Sequence, residues 1–411
     1  MVKNMKVKPI EVLYAVYLAF FFSIFFRSNE SAISEYVSTM FGLMCIFLLI
    51  MQKGVKALQA EWQYRLFLFF AIIFCIFFLM QVYGNNSYTV ALYLKVMLFI
   101  WFFSTFEVDR QDFILFINRT YLLYLVVATL VWSGLVPNTL YEYVDAEEFR
   151  VNFGFLQYGI LYGLEGSPAT IDSYSSLVLL INLFMYRGSN RKFYLAASLF
   201  GVLASFRLTP LVAVFAVFSL YPLYKNRRYL SSLILVSISI LFVAILAAVE
   251  VSGSMSIFGS DFDVRMLAYR LTHARSMIWE QQLEHVMQNF TWIDYIFGHF
   301  SVAEFSVPTL QLDGTETGGF ESNPHNNYLL LFYRSPLLFF VFYFIFIFCQ
   351  HRNFSKVNFP IIFFIFLAGF MNSSLISLGN PIFLMVITYI LVRKKSPDEI
   401  STEYAVEADV K

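Results

Sequence analysis

The sequence predicts an all-α, polytopic membrane protein with about twelve transmembrane helices. Hydrophobic residues make up 59% of its 411 residues and charged residues only 14%, a balance far from that of soluble domains. Aromatic residues reach 20%, with 50 Phe and 26 Tyr, and such rings favour lipid or its headgroup zone. Long apolar runs recur along the whole chain, so we expect a single integral membrane domain over residues 1–411.

Apolar runs that approach the roughly 20 residues needed to cross a bilayer define the predicted spans. They lie at 9–26, 32–51, 66–83, 88–106, 113–136, 171–186, 193–206, 208–224, 229–249, 336–350, 357–371 and 376–392. The first run follows three lysines as a signal peptide would, but no small-residue cleavage site precedes Arg27. We therefore interpret it as a retained anchor.

Basic residues beside the spans predict the orientation, because cytoplasmic loops are enriched in Lys and Arg. The stretch 193–224 is too long for one span, and basic residues flank it on both sides. Both flanks are therefore expected in the cytoplasm, and the stretch becomes a hairpin whose outer tip carries Arg207. The same rule places both termini in the cytoplasm, including the polar, acidic tail at 396–411.

Every cation that this topology places at the outer face is an arginine. These residues are Arg27, Arg150, Arg207, Arg265, Arg270, Arg275 and Arg334. The planar fork of arginine suits bidentate contact with phosphate or carboxylate, which predicts an anionic ligand at that face. Lys95 and Arg119 fall within spans instead, where a cation is a functional candidate by default and snorkelling to the interface is the alternative.

Two outer segments are long, 137–170 and 250–335, and they are the predicted site because loops beyond about 15 residues are usually functional or disordered. Within the second segment, residues 264–289 have helical periodicity. One stripe of this helix carries Leu267, Leu271, Ala274, Ile278 and Gln282. Arg275 is expected at the border between this stripe and a face that carries Arg265, Thr272 and Trp279. We expect this helix to lie along the membrane surface, with the Arg275 guanidinium able to reach the level of the headgroup phosphates. An ordinary amphipathic helix with arginines that merely snorkel is the alternative interpretation.

The second loop ends in Asn323-Pro324-His325-Asn326-Asn327, just before the span that begins beyond Arg334. Imidazole titrates near neutral pH and can take a proton from a sugar hydroxyl. A single loop histidine is more often only solvated or hydrogen-bonded, so both roles stay open from the residues alone.

Three motifs in this order resemble the O-antigen polymerase and O-antigen ligase superfamily. They are Ser205-Phe206-Arg207 at the hairpin tip, Arg275 with Trp279 four residues on, and His325-Asn326 followed by Tyr328 and Leu329. The resemblance covers roughly residues 165–350. It implies a GT-C-like glycosyltransferase of the bacterial inner membrane that works on polyprenyl-diphosphate-linked glycans at the periplasmic face, without a metal or other cofactor.

The resemblance also implies roles for individual residues. Arg207 and Arg275 would hold the donor diphosphate, and His325 would activate the acceptor hydroxyl. Arg265 and Arg270 are further candidates for the diphosphate. Secondary candidates for the site are Arg150, Arg334, Asn326 and Trp279.

The leading functional prediction is polymerisation of undecaprenyl-diphosphate-linked repeat units, as in O-antigen, capsule or exopolysaccharide synthesis. A ligase that transfers the glycan to lipid A core is the first alternative, and a polysaccharide transporter or flippase is the alternative from another class. Expected partners are the lipid-linked oligosaccharide, the bilayer and a chain-length regulator protein. Equal numbers of basic and acidic residues, 28 of each, indicate no nucleic-acid partner.

Overall fold

The structure is a computed structural model. It describes residues 7–25, 98–103, 106–136, 150–152, 157–159, 168–205, 213–219, 275–297, 307–310, 316–321, 359–371 and 381–392, with isolated residues between these ranges.

Helices account for most of the described residues. They are α1 (Pro9–Phe25), α2 (Arg110–Trp132), α3 (Pro168–Phe184), α4 (Arg191–Ser205), α5 (Arg275–Asn289), α6 (Trp292–Phe297), α7 (Phe359–Met371) and α8 (Pro381–Val392). Residues 98–103 and 213–219 are also helical. Three helices begin at a proline, Pro9, Pro168 and Pro381, because the fixed φ and missing N–H of proline suit the first helical position.

The ends of α2 follow directly from its sequence. The Asp109 carboxylate accepts a hydrogen bond from the backbone N–H of Gln111 at 2.7 Å and caps the start of the helix. At the other end Gly134 adopts φ 77°. The N–H groups of Gly134 and Leu135 donate to helix carbonyls at 3.0 Å, which completes a Schellman motif. The 23-residue length of α2 is therefore set by an acidic cap and a glycine.

Four short strands form two antiparallel hairpins. In the first, β1 (Arg150–Asn152) pairs with β2 (Gln157–Gly159), and in the second, β3 (Val307–Leu310) pairs with β4 (Glu316–Glu321). Both hairpins lie inside segments predicted as long outer loops, where paired strands satisfy the backbone polar groups of the loop itself. The all-α prediction is right for every long element described and did not include these hairpins.

The centre of the described bundle is α3. Its residues 170–178 are all buried, because α4 folds back against α3 while α2 and α7 pack on other sides. α1 packs on α2, and α8 contacts α1. The ring of Phe113 in α2 stacks on that of Tyr389 in α8, with centroids 4.0 Å apart. Polar side chains of α3 must therefore find partners inside the protein.

Six predicted spans contain a described helix, namely α1, α2, α3, α4, α7 and α8, and the helical class is confirmed there. Residues 98–103 and 213–219 are helical within two more predicted spans. The remaining four predicted spans lie outside the described residues, apart from the helical positions 42 and 44. Among the described helices, α2 alone has the length and apolar composition to cross a membrane, while α1, α3, α7 and α8 are apolar but shorter. Twelve spans are therefore not confirmed.

Candidate functional site

A line of polar side chains crosses the bundle where α2 meets α3, and we call it the polar seam. Its members are Asn118, Thr120, Tyr121 and Tyr124 of α2 and Tyr174, Ser175 and Asn182 of α3, all of them buried. A buried polar group costs free energy unless it is hydrogen-bonded. The seam therefore specifies how these two helices pack, as interhelical hydrogen bonds do in membrane proteins.

The seam contains two direct side-chain links between α2 and α3, one near the end of α3 and one nearer its start. Asn118 and Asn182 exchange hydrogen bonds, with each Nδ2 donating to the other Oδ1, at 3.0 Å and 2.7 Å. The hydroxyl groups of Thr120 and Tyr174 lie 3.0 Å apart. Because the amide pair satisfies donors and acceptors on both sides, a shift of either helix by one residue would break it.

A third link of the seam also involves α4. The Tyr121 hydroxyl donates to Ser175 Oγ at 2.9 Å and lies 3.2 Å from the carbonyl oxygen of Ala197. Gly201, one turn further along α4, is buried against this link. A Cβ atom added there would collide with the Tyr121 hydroxyl and with Ser175 Oγ. The glycine is therefore required by the close approach of α4 to the seam.

We expect Gly201→Ala to destabilise the protein by about 1–3 kcal/mol, the usual cost of overpacking. Alanine's better helix propensity, worth about 0.5–1 kcal/mol, acts in the opposite direction and is the smaller effect. The measurement is the thermal unfolding midpoint of the purified protein in detergent. Adding Tyr121→Phe and Ser175→Ala removes both colliding atoms and should recover part of the loss.

The control is Leu199→Ala, at an exposed position of the same helix, where we expect a change within about 0.5 kcal/mol. A higher midpoint for Gly201→Ala than for the intact protein would show that α4 does not approach the seam this closely.

One end of the bundle is basic, and we call it the basic end. Its cations are Lys8, Arg110, Arg187, Arg191 and Lys192, at the starts of α1, α2 and α4 and in the turn after α3. Arg191 closes that turn, because its Nε and Nη2 atoms donate to the carbonyl oxygens of Asn182 and Leu183, each at 2.8 Å. The starts of α1 and α2 lie at the same level of the bundle. Tyr14 and Phe116 each lie near the start of their helix, and their rings are 4.9 Å apart.

The chain leaves the basic end through α4 and later returns to it. α4 begins at Arg191 and ends at Ser205, and helical residues 213–219 follow. The ring of Phe184, the last residue of α3, lies 5.7 Å from the ring of Phe218 and 4.7 Å from that of Tyr221. Tyr221 is therefore back at the basic end. This path matches the hairpin predicted over 193–224.

The opposite end of the bundle holds the last part of the first long loop. The backbone N–H of Leu164 donates to the Tyr124 hydroxyl at 2.9 Å. The backbone N–H of Leu161 donates to the carbonyl oxygen of Ala204 at 2.8 Å, and Ala204 is the penultimate residue of α4. The loop that leads into α3 is therefore attached to the end of α4, three residues before Arg207 in the sequence.

Most of the predicted site residues lie outside the described residues. They are Arg207, Arg265, Arg270, His325, Asn326 and Arg334. Arg150 begins β1 and pairs with Gly159 across the first hairpin, while Arg275 begins α5. The grouping of the arginines around His325 therefore stays a prediction.

α5 buries a face that the sequence predicted only in part: Gln282 was expected on the apolar stripe and is buried. Trp279, Gln282 and Val286 are buried along one stripe, whereas Ile278, expected on the apolar stripe, is only half-buried. Trp279 therefore belongs to the buried face and not to the polar face assigned to it. α5 packs on β3, and burial of a large indole is worth more than burial of a smaller side chain. By helical periodicity, backbone position 275 lies on this same stripe, one turn before Trp279.

Two features of the bundle were not fully predicted from the sequence. Asp172 of α3 is fully buried and acts electrostatically on the Tyr121 hydroxyl. The signal was available, since an acidic residue within the predicted span 171–186 is a functional candidate by default. Arg119, for which the sequence indicated no partner, is exposed on α2 and faces the hydroxyl groups of Tyr14 in α1 and Tyr194 in α4.

The described residues contain no group of three or more His, Cys, Asp or Glu side chains that could hold a metal ion. The described part of the chain is mainly helical, with a buried polar seam and a basic end. No family model matches the chain, and neither the curated proteins nor the solved structures include a significant match.

Proposed function

We propose that this protein is a multi-pass enzyme of the bacterial inner membrane, a metal-independent glycosyltransferase that polymerises undecaprenyl-diphosphate-linked repeat units. The observation that best supports it is the path of the chain from Arg191 at the basic end, through α4, and back to Tyr221. If the basic end is cytoplasmic, as the positive-inside rule requires, the intervening Arg207 lies at the periplasmic face. That is where the family resemblance puts the lipid-linked donor.

The proposed membrane placement needs about twelve spans of unequal length. α2 has 23 residues and extends about 34 Å at 1.5 Å per residue, enough to cross the hydrocarbon. The 17-residue α3 is shorter and can be accommodated by its central position, because protein and not lipid surrounds its residues 170–178. The polar seam fits this placement, since its hydrogen bonds leave no polar group of the α2–α3 interface facing lipid.

The proposed reaction takes place at the hairpin tip, where the two long outer loops come together. The acceptor hydroxyl gives its proton to His325 while its oxygen bonds to the anomeric carbon of the donor sugar. The bond from that carbon to the diphosphate breaks, and undecaprenyl diphosphate leaves with the electron pair. Arg207 and Arg275 stabilise the negative charge that develops on the diphosphate. The attachment of Leu161 to Ala204 supports bringing the first loop to this end of the bundle.

The test is reconstitution of the intact protein in liposomes with a chemically defined lipid-linked repeat unit, with product length read on a gel. We expect a ladder of polymer, and the same ladder in a buffer that contains a metal chelator, because guanidinium groups supply the positive charge. Loss of product on chelation that is restored by a divalent cation would contradict the arginine-based mechanism. Supplying lipid A core as a second acceptor distinguishes the polymerase from the ligase.

A transporter remains the second candidate because two buried ionisable side chains favour it. Asp172 is 0% exposed and Lys95 is 6% exposed, and buried ionisable groups of this kind mark substrate or ion pathways in transporters. The same liposomes distinguish the two functions. Movement of a fluorescent lipid-linked repeat unit between leaflets, with no new glycosidic bond, would favour the transporter.

A further inference from the structure

Arg119 lies on the surface of α2, which contacts both α1 and α4. It is exposed on α2, and Tyr14 of α1 and Tyr194 of α4 face its guanidinium from the two flanking helices. It follows the start of α2 by nine residues, about 14 Å along the helix. Helical side chains tilt toward the N-terminus, so the guanidinium is directed toward the basic end.

Apolar side chains continue this surface away from the basic end. Leu123 and Val126 follow Arg119 on the same stripe of α2, and Leu18 and Phe22 follow Tyr14 on the same stripe of α1. All four are exposed. The two stripes are neighbours because α1 packs on α2, with the ring of Tyr14 4.9 Å from that of Phe116. The surface is thus polar and cationic at one end and apolar along the next two turns.

The cation of Arg119 has no carboxylate partner at ion-pair distance among the residues that the structure describes. Arg191, three residues before Tyr194 in the sequence, donates from its Nε and Nη2 atoms to carbonyl oxygens of α3. Asp112 lies on the Arg119 stripe but two turns closer to the start of α2. The positive charge of Arg119 is therefore available to a ligand that approaches from the apolar side.

We propose that this surface binds one anionic phospholipid, with its phosphodiester on Arg119, Tyr14 and Tyr194 and an acyl chain along Leu18, Phe22, Leu123 and Val126. A guanidinium offers a bidentate pair of donors to phosphate oxygens, and the tyrosine hydroxyl groups add two more. The phosphate in turn neutralises a cation that would otherwise face the bilayer. The inference rests on the proposed membrane placement and is independent of glycosyl transfer.

The test uses the full-length protein, purified and stripped of lipid in a neutral detergent. Dioleoyl phosphatidylglycerol is titrated against the thermal unfolding midpoint, with dioleoyl phosphatidylcholine and inorganic phosphate as separate arms. We expect phosphatidylglycerol to raise the midpoint saturably, and Arg119→Gln to weaken its apparent affinity roughly ten-fold or more. Phosphatidylcholine and inorganic phosphate should give far smaller shifts, because the one lacks net negative charge and the other lacks the acyl chain.

The matched control is Lys192→Gln, an exposed cation at the basic end that should leave the apparent affinity within about two-fold. Tyr14→Phe together with Tyr194→Phe provides a second variant set should Arg119→Gln fail to fold, and it should weaken binding several-fold. Equal affinity in Arg119→Gln and the intact protein would overturn the proposal. So would equal shifts from phosphatidylglycerol and phosphatidylcholine. Retention of the protein in membranes after an alkaline wash tests the membrane placement separately.

Discussion

Replacing His325 with alanine is expected to reduce polymer formation by about 10²- to 10⁴-fold, the usual contribution of a positioned general base. The acceptor hydroxyl is a poor nucleophile until its proton is removed, and alanine offers no group that can accept this proton. Binding of the lipid-linked donor should change little, because the diphosphate is held by arginines. The measurement is the initial rate of polymer formation in liposomes, with donor binding followed in parallel.

The matched control is His299→Ala, which removes the other histidine near the end of the second long loop and should keep nearly full activity. Equal losses in His299→Ala and His325→Ala would indicate that both residues support the loop and that neither is a base. Unchanged polymer in His325→Ala would exclude it as the proton acceptor.

Charge alone predicted the basic end of the bundle. Arg187, Arg191 and Lys192 come together in one turn because a short hairpin leaves the residues between α3 and α4 at the same level. Their position in the sequence was enough to predict this end, since a turn between two apolar helices must lie outside both of them. The return of the chain at Tyr221 was predictable for the same reason.

Contacts between distant parts of the chain could not be predicted. Asn118 and Asn182 are separated by 64 residues, and the sequence of neither span indicates that these two side chains pair. The same holds for Arg119, whose neighbours Tyr14 and Tyr194 belong to different helices. An isolated span shows that a polar side chain must be satisfied, but only the packing of several helices determines which group satisfies it.

The buried face of α5 was predicted correctly at Gln282 and wrongly at Trp279, and the packing partner was assumed to be lipid. A helix on a membrane surface should bury its most apolar stripe, which favours Ile278. In the structure α5 packs on β3, and Trp279 is buried together with Gln282 while Ile278 is only half-buried. The error matters for the site, since the backbone of residue 275 lies on this buried stripe and Arg275 is proposed to hold the diphosphate.

Replacing Arg207 with alanine is expected to reduce polymer formation by about 10²- to 10³-fold, similar to the loss of one preorganised donor that stabilises a developing negative charge. Arg207→Lys should recover only part of the rate. Lysine keeps the charge but loses the planar fork that contacts two phosphate oxygens at once. The measurement is the polymerisation rate at saturating and at limiting donor concentration. A residue that contacts the diphosphate in the bound state and in the reacting state should change both of these rates.

Arg187→Ala is the matched control for this residue, since it removes an exposed arginine from the opposite end of the same α3–α4 region. We expect its rate to stay within about two-fold of that of the intact protein, because surface charges far from a site contribute little. The comparison therefore tests position as well as charge. A large loss in Arg187→Ala with none in Arg207→Ala would place the diphosphate at the basic end, and the proposed orientation of the whole chain would have to be reversed.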